Sequence, residues 1–441
     1  MSSISPSDLA AFARRFAADP QLKRMQNAIA NVSVDQVALD HSVAVGVGPT
    51  MSHRIDDWKA TDQKKTGRCW LFAALNLMRP GTADRLGVKD FEFSQAHAMY
   101  WDKLERANYF LESIIATAER PIDDRIVAFL LGMPVNDGGQ WNMAVSVFAK
   151  HGVVPKSVMP ETQSSSDSAK MNRRLRVALR HGAKRLRELS AAGAADRLRE
   201  VKTEVLAEVH TILNIHLGTP PDSFTWEWTD RDKQFHSDGE LTPQEFMARY
   251  VELDLSAYVC LVDDPRPEHP KNATLTVEHL GNVIEGDPVL YLNVDIATAK
   301  RLAMETIVDG EPVWFGCDTG QQSDGELGIW DARLYDYDGV YGTRHDLDKE
   351  ARVRYHDSLM THAMLFTGVH VVDGAPRRWR VENSWGTKKG DGGFYTMNDS
   401  WFDEYVFEVV VRKDRLSPEL LAALDTAPLV LPAWDPMGAL A

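Results

Sequence analysis

The spacing of apolar residues changes part-way along the chain, and this change constrains the fold more than any other feature. Cys69 opens a helical pattern, in which Leu71, Ala74, Leu75 and Met78 fall at positions i, i+3, i+4 and i+7, and Pro80 is expected to end that helix. Helical stripes continue over residues 95–120 and 163–217. From about residue 287 the period falls to two or the runs are continuously apolar, as in strands. Early helices and late strands predict an α+β protein with segregated halves.

Individual elements follow from the same patterns. A helix is predicted at 8–18, a strand at the β-branched stretch 37–47, and a turn followed by a helix at 137–150. The stripes within 163–217 predict a helical pair that stands apart from what precedes it. The strands predicted in the second half are 289–295, 312–316, 363–372, 379–382, 393–397 and 405–411.

The chain has 441 residues, which at about 150 residues per domain allows several structural units. The patterns divide it into five segments: an N-terminal arm at 1–60, a helical half at 61–165, a helical insertion at 166–260, a β half at 261–425 and a C-terminal tail at 426–441. The tail is apolar and contains prolines that prevent a helix, so we expect it to be docked in an extended form.

Composition excludes several functions. Lys plus Arg number 49 and Asp plus Glu 64, a net charge of −15 that disfavours nucleic acid and anionic membranes. No apolar run reaches the roughly 18 residues of a membrane-spanning helix, and we expect no secretory signal. Three cysteines in a chain of this length favour a reducing compartment, so a cytoplasmic protein is predicted.

One stretch departs from this acidic character. Residues 170–187 carry eight Lys or Arg side chains on a predicted helix. They are typical of a solvated or ion-paired face, of a subunit contact, or of a nucleic-acid site. Interleaved aromatic residues are absent, so stacking on a single strand is disfavoured.

Cys69 is the first candidate for chemistry. It begins its helix, where the helix dipole and free N–H groups lower the pKa of a thiol. Gln63 lies six residues upstream, from where its amide and the Cys69 N–H group can both donate to one oxyanion. A cysteine in an apolar helix is also typical of an inert core, so this position alone leaves both interpretations open.

Two further residues complete a pattern. His362 opens a predicted strand, and Asn383 follows the next one in the motif Asn383-Ser-Trp385-Gly386. Singly these are ordinary core or turn residues. Together, in the order Gln-x5-Cys-Trp, His, Asn-Ser-Trp-Gly, they match the nucleophile, base and orienting group of a thiol hydrolase.

This order resembles the papain-like cysteine peptidases, and more narrowly the bleomycin hydrolase and bacterial aminopeptidase C family. Matches that carry the narrower resemblance are Gly67-Arg-Cys-Trp70, Asn136-Asp-Gly-Gly-Gln-Trp141, Val313-Trp-Phe-Gly-Cys-Asp318 and Pro432-Ala-Trp-Asp-Pro-Met-Gly-Ala-Leu-Ala441. The resemblance implies a papain-like fold and an aminopeptidase that acts on peptides with a free N-terminus. It implies a homohexamer and no cofactor. We expect no metal site, because the sequence has no His-Glu-x-x-His motif and no paired-cysteine motif.

The resemblance also implies roles for single residues. Cys69 would be the nucleophile, His362 the general base and acid, Asn383 the orienting group and Gln63 an oxyanion donor. Substrate contacts would come from Gly138 and Gly139 through their backbone, from Trp385 as a shield over the His–Asn bond, and from the Ala441 carboxylate facing the substrate ammonium. The alternatives are a papain-like endopeptidase or acyltransferase with the same triad, and a nucleic-acid-binding scaffold on a peptidase fold.

Overall fold

The computed structural model describes residues 1–55 and 58–440. The protein is α+β, with most helices in the first half of the chain and most strands in the second. The helices are α1 Pro6–Ala18, α2 Pro20–Ile29, α3 Val34–Ala38, α4 His41–Gly46, α5 Cys69–Leu86, α6 Gln95–Ala116, α7 Arg125–Gly132, α8 Trp141–His151, α9 Gln163–Ser166, α10 Ala169–Ala191, α11 Leu198–Leu217, α12 Pro243–Tyr250, α13 Ile296–Val308, α14 Tyr337–Tyr341, α15 Lys349–Arg354, α16 Asp399–Tyr405 and α17 Pro418–Leu424.

The strands of the described residues form one large sheet and one separate hairpin. They are β1 His53–Arg54, β2 Phe224–Thr229, β3 Phe235–Leu241, β4 Tyr258–Val262, β5 Ala273–Val277, β6 Tyr291–Asn293, β7 Val313–Cys317, β8 Ser323–Asp324, β9 Ile329–Trp330, β10 His362–Val372, β11 Ala375–Glu382, β12 Phe394–Asn398, β13 Val406–Arg412 and β14 Leu429–Leu431. The large sheet has the order β14-β5-β6-β4-β13-β7-β10-β11-β12-β9-β8, and β1 also pairs with β10. Its central pairs are antiparallel.

Helix α5 lies between the helical half and the sheet, and this position explains why it is buried on every side. Its residues join a core that includes α6, α8, α10 and α11. Trp314 of β7 donates its indole N–H to the carbonyl oxygen of Trp70 at 3.2 Å. Alternate residues of β10 face opposite cores: Ala363 packs on the α5 side, and Met364 packs on the side covered by α13 and α16. The start of α5 is therefore held against β10.

Two local predictions were wrong. Residues 37–47 form the end of α3 and all of α4 instead of a strand, because Ser33 and Asp40 cap these helices with their side-chain oxygens. Helix α5 does not end at Pro80 but continues to Leu86. Burial of Thr82 and Leu86 favours the extra turn, and the helix ends where Gly87 adopts the left-handed conformation, with φ 65°.

Residues 166–260, predicted as a helical insertion, contain strands as well as helices, and they pack into the core of the helical half. The helical pair, α10 and α11, shares one core with α6 and does not stand apart. The hairpin of β2 and β3 follows the pair, and its Trp226 packs edge-on against Phe246 at 5.3 Å. Strand β4 spans the expected boundary at 260–261. The division into five segments stays a prediction.

The basic stretch within 170–187 is used inside the chain. Arg176 donates to the carbonyl of Val135 at 2.9 Å, and Arg180 donates to Leu131 and Gly132 at 3.0 and 2.9 Å. Arg187 reaches the carbonyl of Thr117 at 3.1 Å. These acceptors lie at or near the ends of α6 and α7, where carbonyls lack helical partners. The contacts favour the ion-paired and hydrogen-bonded interpretation over a nucleic-acid site. Across the described residues, no helix has the length and apolar character needed to cross a membrane.

Candidate active site

Cys69 is the first residue of α5, and its side chain is almost completely buried. The turn that leads into it is fixed by Arg68, whose guanidinium donates to both carboxylate oxygens of Glu161 at 3.0 and 2.8 Å. The backbone N–H groups of Trp70 and Ala363 point at the thiol. Because Ala363 directly follows His362, the sulfur lies beside the start of β10.

His362 begins β10, and Asn383 directly follows β11, the adjacent strand. The His362 Nε2 atom lies 2.9 Å from Asn383 Oδ1, and that oxygen also accepts a hydrogen bond from the Ser384 N–H at 2.7 Å. An oxygen that accepts from both neighbours places the proton of the neutral ring on Nε2. The other ring nitrogen, Nδ1, is then free to act as a base.

Trp385 covers this pair. Its ring centroid lies 4.9 Å from that of His362, with the planes inclined by 31°. Trp385 remains 38% exposed, whereas His362 is 5% and Asn383 1% exposed. The indole ring therefore lies over a buried His–Asn pair and is itself partly exposed.

Burial controls the protonation of the two reactive groups. It raises the pKa of the Cys69 thiol to about 11, although the N–H groups around the sulfur act in the opposite direction. It lowers the pKa of His362 to about 4, and the bond to Asn383 opposes this shift. The N–H groups at the start of α5 lower the thiol pKa, as predicted from the sequence, but desolvation by burial outweighs their effect.

Gln63 is tied to the segment that carries Asn383. Its backbone N–H donates to the Ser384 carbonyl at 2.8 Å, and its side-chain Oε1 accepts from Ser384 Oγ at 2.6 Å. Its Nε2 donates to the Thr66 carbonyl at 2.5 Å. An amide nitrogen has two protons, so one N–H of Gln63 is left for a further acceptor.

Gly138 and Gly139 lie on a loop held by Trp70, the neighbour of Cys69. The Trp70 indole donates to the Asp137 carbonyl at 2.7 Å, and Arg106 donates to the Gly138 carbonyl at 2.8 Å. A Cβ atom at Gly139 would lie 2.5 Å from the Trp70 ring. The absence of a side chain there therefore permits the close approach of loop and helix.

The C-terminal tail reaches the same loop. Gln140 follows Gly139, and its Nε2 atom donates to the Ala439 carbonyl at 2.6 Å. Leu440 and Gly438 line a cavity together with Arg106, whose guanidinium holds Gly138. Ala441, the predicted partner of the substrate ammonium, lies outside the described residues.

A profile of the Peptidase C1-like family matches residues 3–438. This chain belongs to the Peptidase C1-like family. The match covers the cysteine, histidine and asparagine positions and extends into the tail. The papain-like α+β fold predicted from the sequence is confirmed.

Relatives within the family are similar over their full length. Aminopeptidase C of Listeria monocytogenes is 43% identical over 430 residues, which cover 98% of this chain and 97% of that protein. Bleomycin hydrolase of Homo sapiens is 40% identical over 451 residues, which cover 100% and 99%. The crystal structure of pepw from Lactobacillus rhamnosis HN001 superposes with a TM-score of 0.98 at 45% identity and covers 100% of both chains.

Sequence reasoning missed one residue of this peptidase site. Glu382 is 3% exposed at the end of β11 and accepts hydrogen bonds from Asn76 of α5 and from Trp58. It directly precedes Asn383. A carboxylate at the end of a predicted strand, directly before Asn383, is a usable signal, because a buried charge requires partners.

Proposed function

We propose that this member of the Peptidase C1-like family is a cysteine aminopeptidase that removes residues from the N-termini of peptides. The observation that carries the proposal is the position of the Cys69 sulfur against the N–H group of Ala363, next to a His362 ring that Asn383 orients. Relatives that share about two fifths of its residues are named aminopeptidase C and bleomycin hydrolase, which agrees with this activity.

The chemistry begins from a neutral pair, because burial favours the thiol and the neutral imidazole. As the Cys69 sulfur attacks the carbonyl carbon of the substrate, Nδ1 of His362 takes the thiol proton. The imidazolium then formed donates through Nε2 to Asn383 Oδ1, which keeps the ring in position. The proton transfer creates the positive charge on His362 and the negative charge on the reacting atoms at the same time. The attraction between these two charges offsets part of the cost of burying each one.

The oxyanion that forms on the substrate accepts hydrogen bonds from the Cys69 backbone N–H and from the remaining N–H of Gln63. Its collapse breaks the peptide bond, and His362 passes its proton to the departing amine. Water then attacks the thioester on Cys69 and gives a proton to His362. The C–S bond breaks, the acid product leaves, and His362 returns the proton to the Cys69 sulfur, which restores the neutral pair. The backbone of Gly138 and Gly139 aligns the substrate chain, and Trp385 keeps water from the His–Asn bond.

We further propose that the tail restricts the cleft to free N-termini. The Ala439 carbonyl is bound by Gln140 beside the glycine loop. Ala441 follows two residues later in the sequence. A carboxylate there would form a charge-assisted pair with the α-ammonium group of the substrate and would exclude chains that continue past it.

Paired substrates test the activity. An aminoacyl fluorogenic amide is expected to be cleaved, and its N-acetylated twin is expected to be refused. Equal rates on the two would indicate an endopeptidase. Release of an acyl–amine adduct in the presence of an added amine, in place of hydrolysis, would indicate an acyltransferase.

A second experiment tests the site. Cys69→Ser should abolish cleavage, whereas the matched variant Cys260→Ala, at a buried cysteine on β4, should retain it. Cleavage that survives Cys69→Ser would show that the nucleophile lies elsewhere.

The homohexamer, implied by the resemblance, and the cytoplasmic location, inferred from the few cysteines, remain predictions. Helix α1 contains no buried residue, and its Leu9, Phe12 and Phe16 side chains are exposed at helical spacing, which is consistent with a contact between copies. Light scattering after size-exclusion chromatography would measure the assembly. A monomer at micromolar concentration would contradict it.

A further inference from the structure

Asp435 of the tail takes part in a buried ionic cluster with Arg266 and Asp264. The Arg266 guanidinium donates to both carboxylate oxygens of Asp435, at 2.7 and 2.9 Å. It also donates to both oxygens of Asp264, at 2.9 and 2.7 Å. The three side chains are at most 8% exposed. Charges buried this deeply are stable only while each keeps its partners.

The cluster is attached to the central sheet. Asp264 lies just after β4, and its backbone N–H donates to Asn293 Oδ1 of β6 at 3.0 Å. The Asn293 amide donates in turn to the carbonyls of His269 and Pro270, both at 3.1 Å. The paired strands and the buried Asn293 amide hold Asp264 in place. Asp264 in turn fixes the Arg266 guanidinium, whose remaining N–H groups bind Asp435 of the tail.

On the tail side, Asp435 determines how the last residues turn. Its carboxylate accepts from the Met437 N–H at 2.9 Å, and its carbonyl accepts from the Gly438 N–H at 2.8 Å. The Tyr291 hydroxyl then donates to the Met437 carbonyl at 3.2 Å. The turn at 436–438 leads directly to Ala439, the residue that Gln140 binds beside the glycine loop.

We propose that Arg266 and Asp435 form a clamp that determines the exopeptidase specificity of this protein. They are positioning residues: neither lies with the reactive groups, and both act by setting the direction in which residues 436–440 run from Asp435 towards the glycine loop. The proposal rests on the proposed function, because it assigns the exclusion of blocked peptides to the placement of the tail. Without the clamp, the tail keeps its apolar contacts and the hydrogen bonds from Gln140 and Tyr291, but it loses the buried charge pair that fixes its direction towards the cleft.

The test variant is Asp435→Asn, which keeps the shape of the side chain and leaves Arg266 paired with Asp264. The control is Glu268→Gln, in the same loop as Arg266, whose carboxylate pairs with Arg354 at 2.5 Å where both side chains are well exposed. We expect the rate on the N-acetylated substrate, relative to its free-amine twin, to rise by about tenfold or more in Asp435→Asn because a buried charge pair is lost. The control should keep the wild-type ratio.

A second measurement does not depend on the activity of the protein. In a Cys69→Ser background, an added carboxypeptidase digests the C-terminus, and mass spectrometry follows the release of the last residues. Release should be faster in Asp435→Asn than in the parent or in Glu268→Gln. Arg266→Lys keeps the charge but loses the forked geometry, so we expect an intermediate effect, and this variant replaces Asp435→Asn if the latter does not fold.

The outcomes separate the two proposals. Digestion at the parent rate in both clamp variants would overturn the clamp, as would continued refusal of the N-acetylated substrate. Equal cleavage of the twin substrates by the wild-type protein would overturn the proposed aminopeptidase, and the digestion rates would still decide whether Arg266 and Asp435 hold the tail.

Discussion

The side-chain amide of Asn76 donates a hydrogen bond to Glu382 Oε1 at 2.8 Å. Asn76 lies two turns into the helix that begins at Cys69, and Glu382 immediately precedes Asn383. The second oxygen of Glu382 accepts from the indole N–H of Trp58 at 2.9 Å. Burial raises the pKa of this carboxyl group to about 7, and its donors oppose the shift. One buried carboxylate therefore links the helix of the nucleophile to the strand of the orienting asparagine.

Glu382→Gln should lower kcat by about tenfold or more with little change in KM, because a misplaced Asn383 affects the reacting His362 and not substrate binding. The new amide nitrogen faces a donor from Asn76 or Trp58, so the free energy of unfolding should fall by about 1–3 kcal/mol. Steady-state kinetics and urea unfolding measure the two effects. The exposed Glu305→Gln, on the Arg301 ion pair, should change stability by under about 0.5 kcal/mol. A wild-type kcat in Glu382→Gln would contradict the positioning role.

Gly139→Ala should reduce kcat/KM and destabilise the fold by about 1–3 kcal/mol, because the added methyl group overlaps the Trp70 ring and pushes the glycine loop away from Cys69. Gly81→Ala is the matched control: it lies in α5, and apart from its chain neighbours and its own helix backbone no atom lies within 4 Å of the added Cβ. That change should stabilise the helix by about 0.5–1 kcal/mol. Thermal unfolding and steady-state kinetics compare the two variants. Equal changes in stability and kcat/KM would show that overlap with the Trp70 ring is not the cause.

Asp137→Asn should be among the most damaging single changes near the cleft. The Asp137 carboxylate lies 2.6 Å from the buried Lys103 ammonium, whose charge holds the pKa of Asp137 well below its usual range. Neutralising one partner leaves the other charge buried and costs about 3–5 kcal/mol. The control Glu188→Gln removes an exposed pair with Lys184 and should cost under about 1 kcal/mol. Denaturant unfolding measures both, and similar losses would show that burial of the Lys103 pair is unimportant.

The pH dependence of kcat/KM should be a broad bell. Protonation of His362 removes the base, so the rate falls as the pH drops towards its lowered pKa of about 4. Ionisation of Cys69 removes the proton that the thiol would pass to His362, so the rate falls as the pH rises towards the raised thiol pKa of about 11. The limbs report the coupled pair. Asn383→Ala removes a hydrogen bond that raises the pKa of His362, so the acid limb should move to lower pH. An acid limb whose midpoint lies above the ordinary pKa of imidazole would contradict the proposal that Cys69 and His362 start as a neutral pair.

Much of the fold and of the candidate site could be predicted from short stretches of sequence. Apolar spacing located α5 and the central strands β7 and β10, because period and residue type act within one element. Cys69, His362 and Asn383 were selected by order and local context, and the structure brings them to one place. The roles assigned to these residues stay proposals.

Errors arose where a distant part of the chain decides a local outcome. Pro80 disfavours a helix, but packing of Leu86 into the core keeps the helix intact. The β-branched residues of 37–47 favour a strand, but no sheet edge is paired there except through the single bridge of Leu39 to Tyr335, and side-chain caps favour helices instead. Propensity is a weak preference that tertiary contacts override.

The sequence by itself determined which residues carry reactive groups, because chemistry belongs to side-chain type and order. Only the tertiary structure decided the environment of those groups. It buried Cys69 and His362 until both favour their neutral forms, brought Glu382 to Asn76 across 306 residues, and joined Arg266 to the tail. Solvation and charge pairing depend on atoms that meet only when the two halves of the chain close on each other, and no local pattern encodes that meeting.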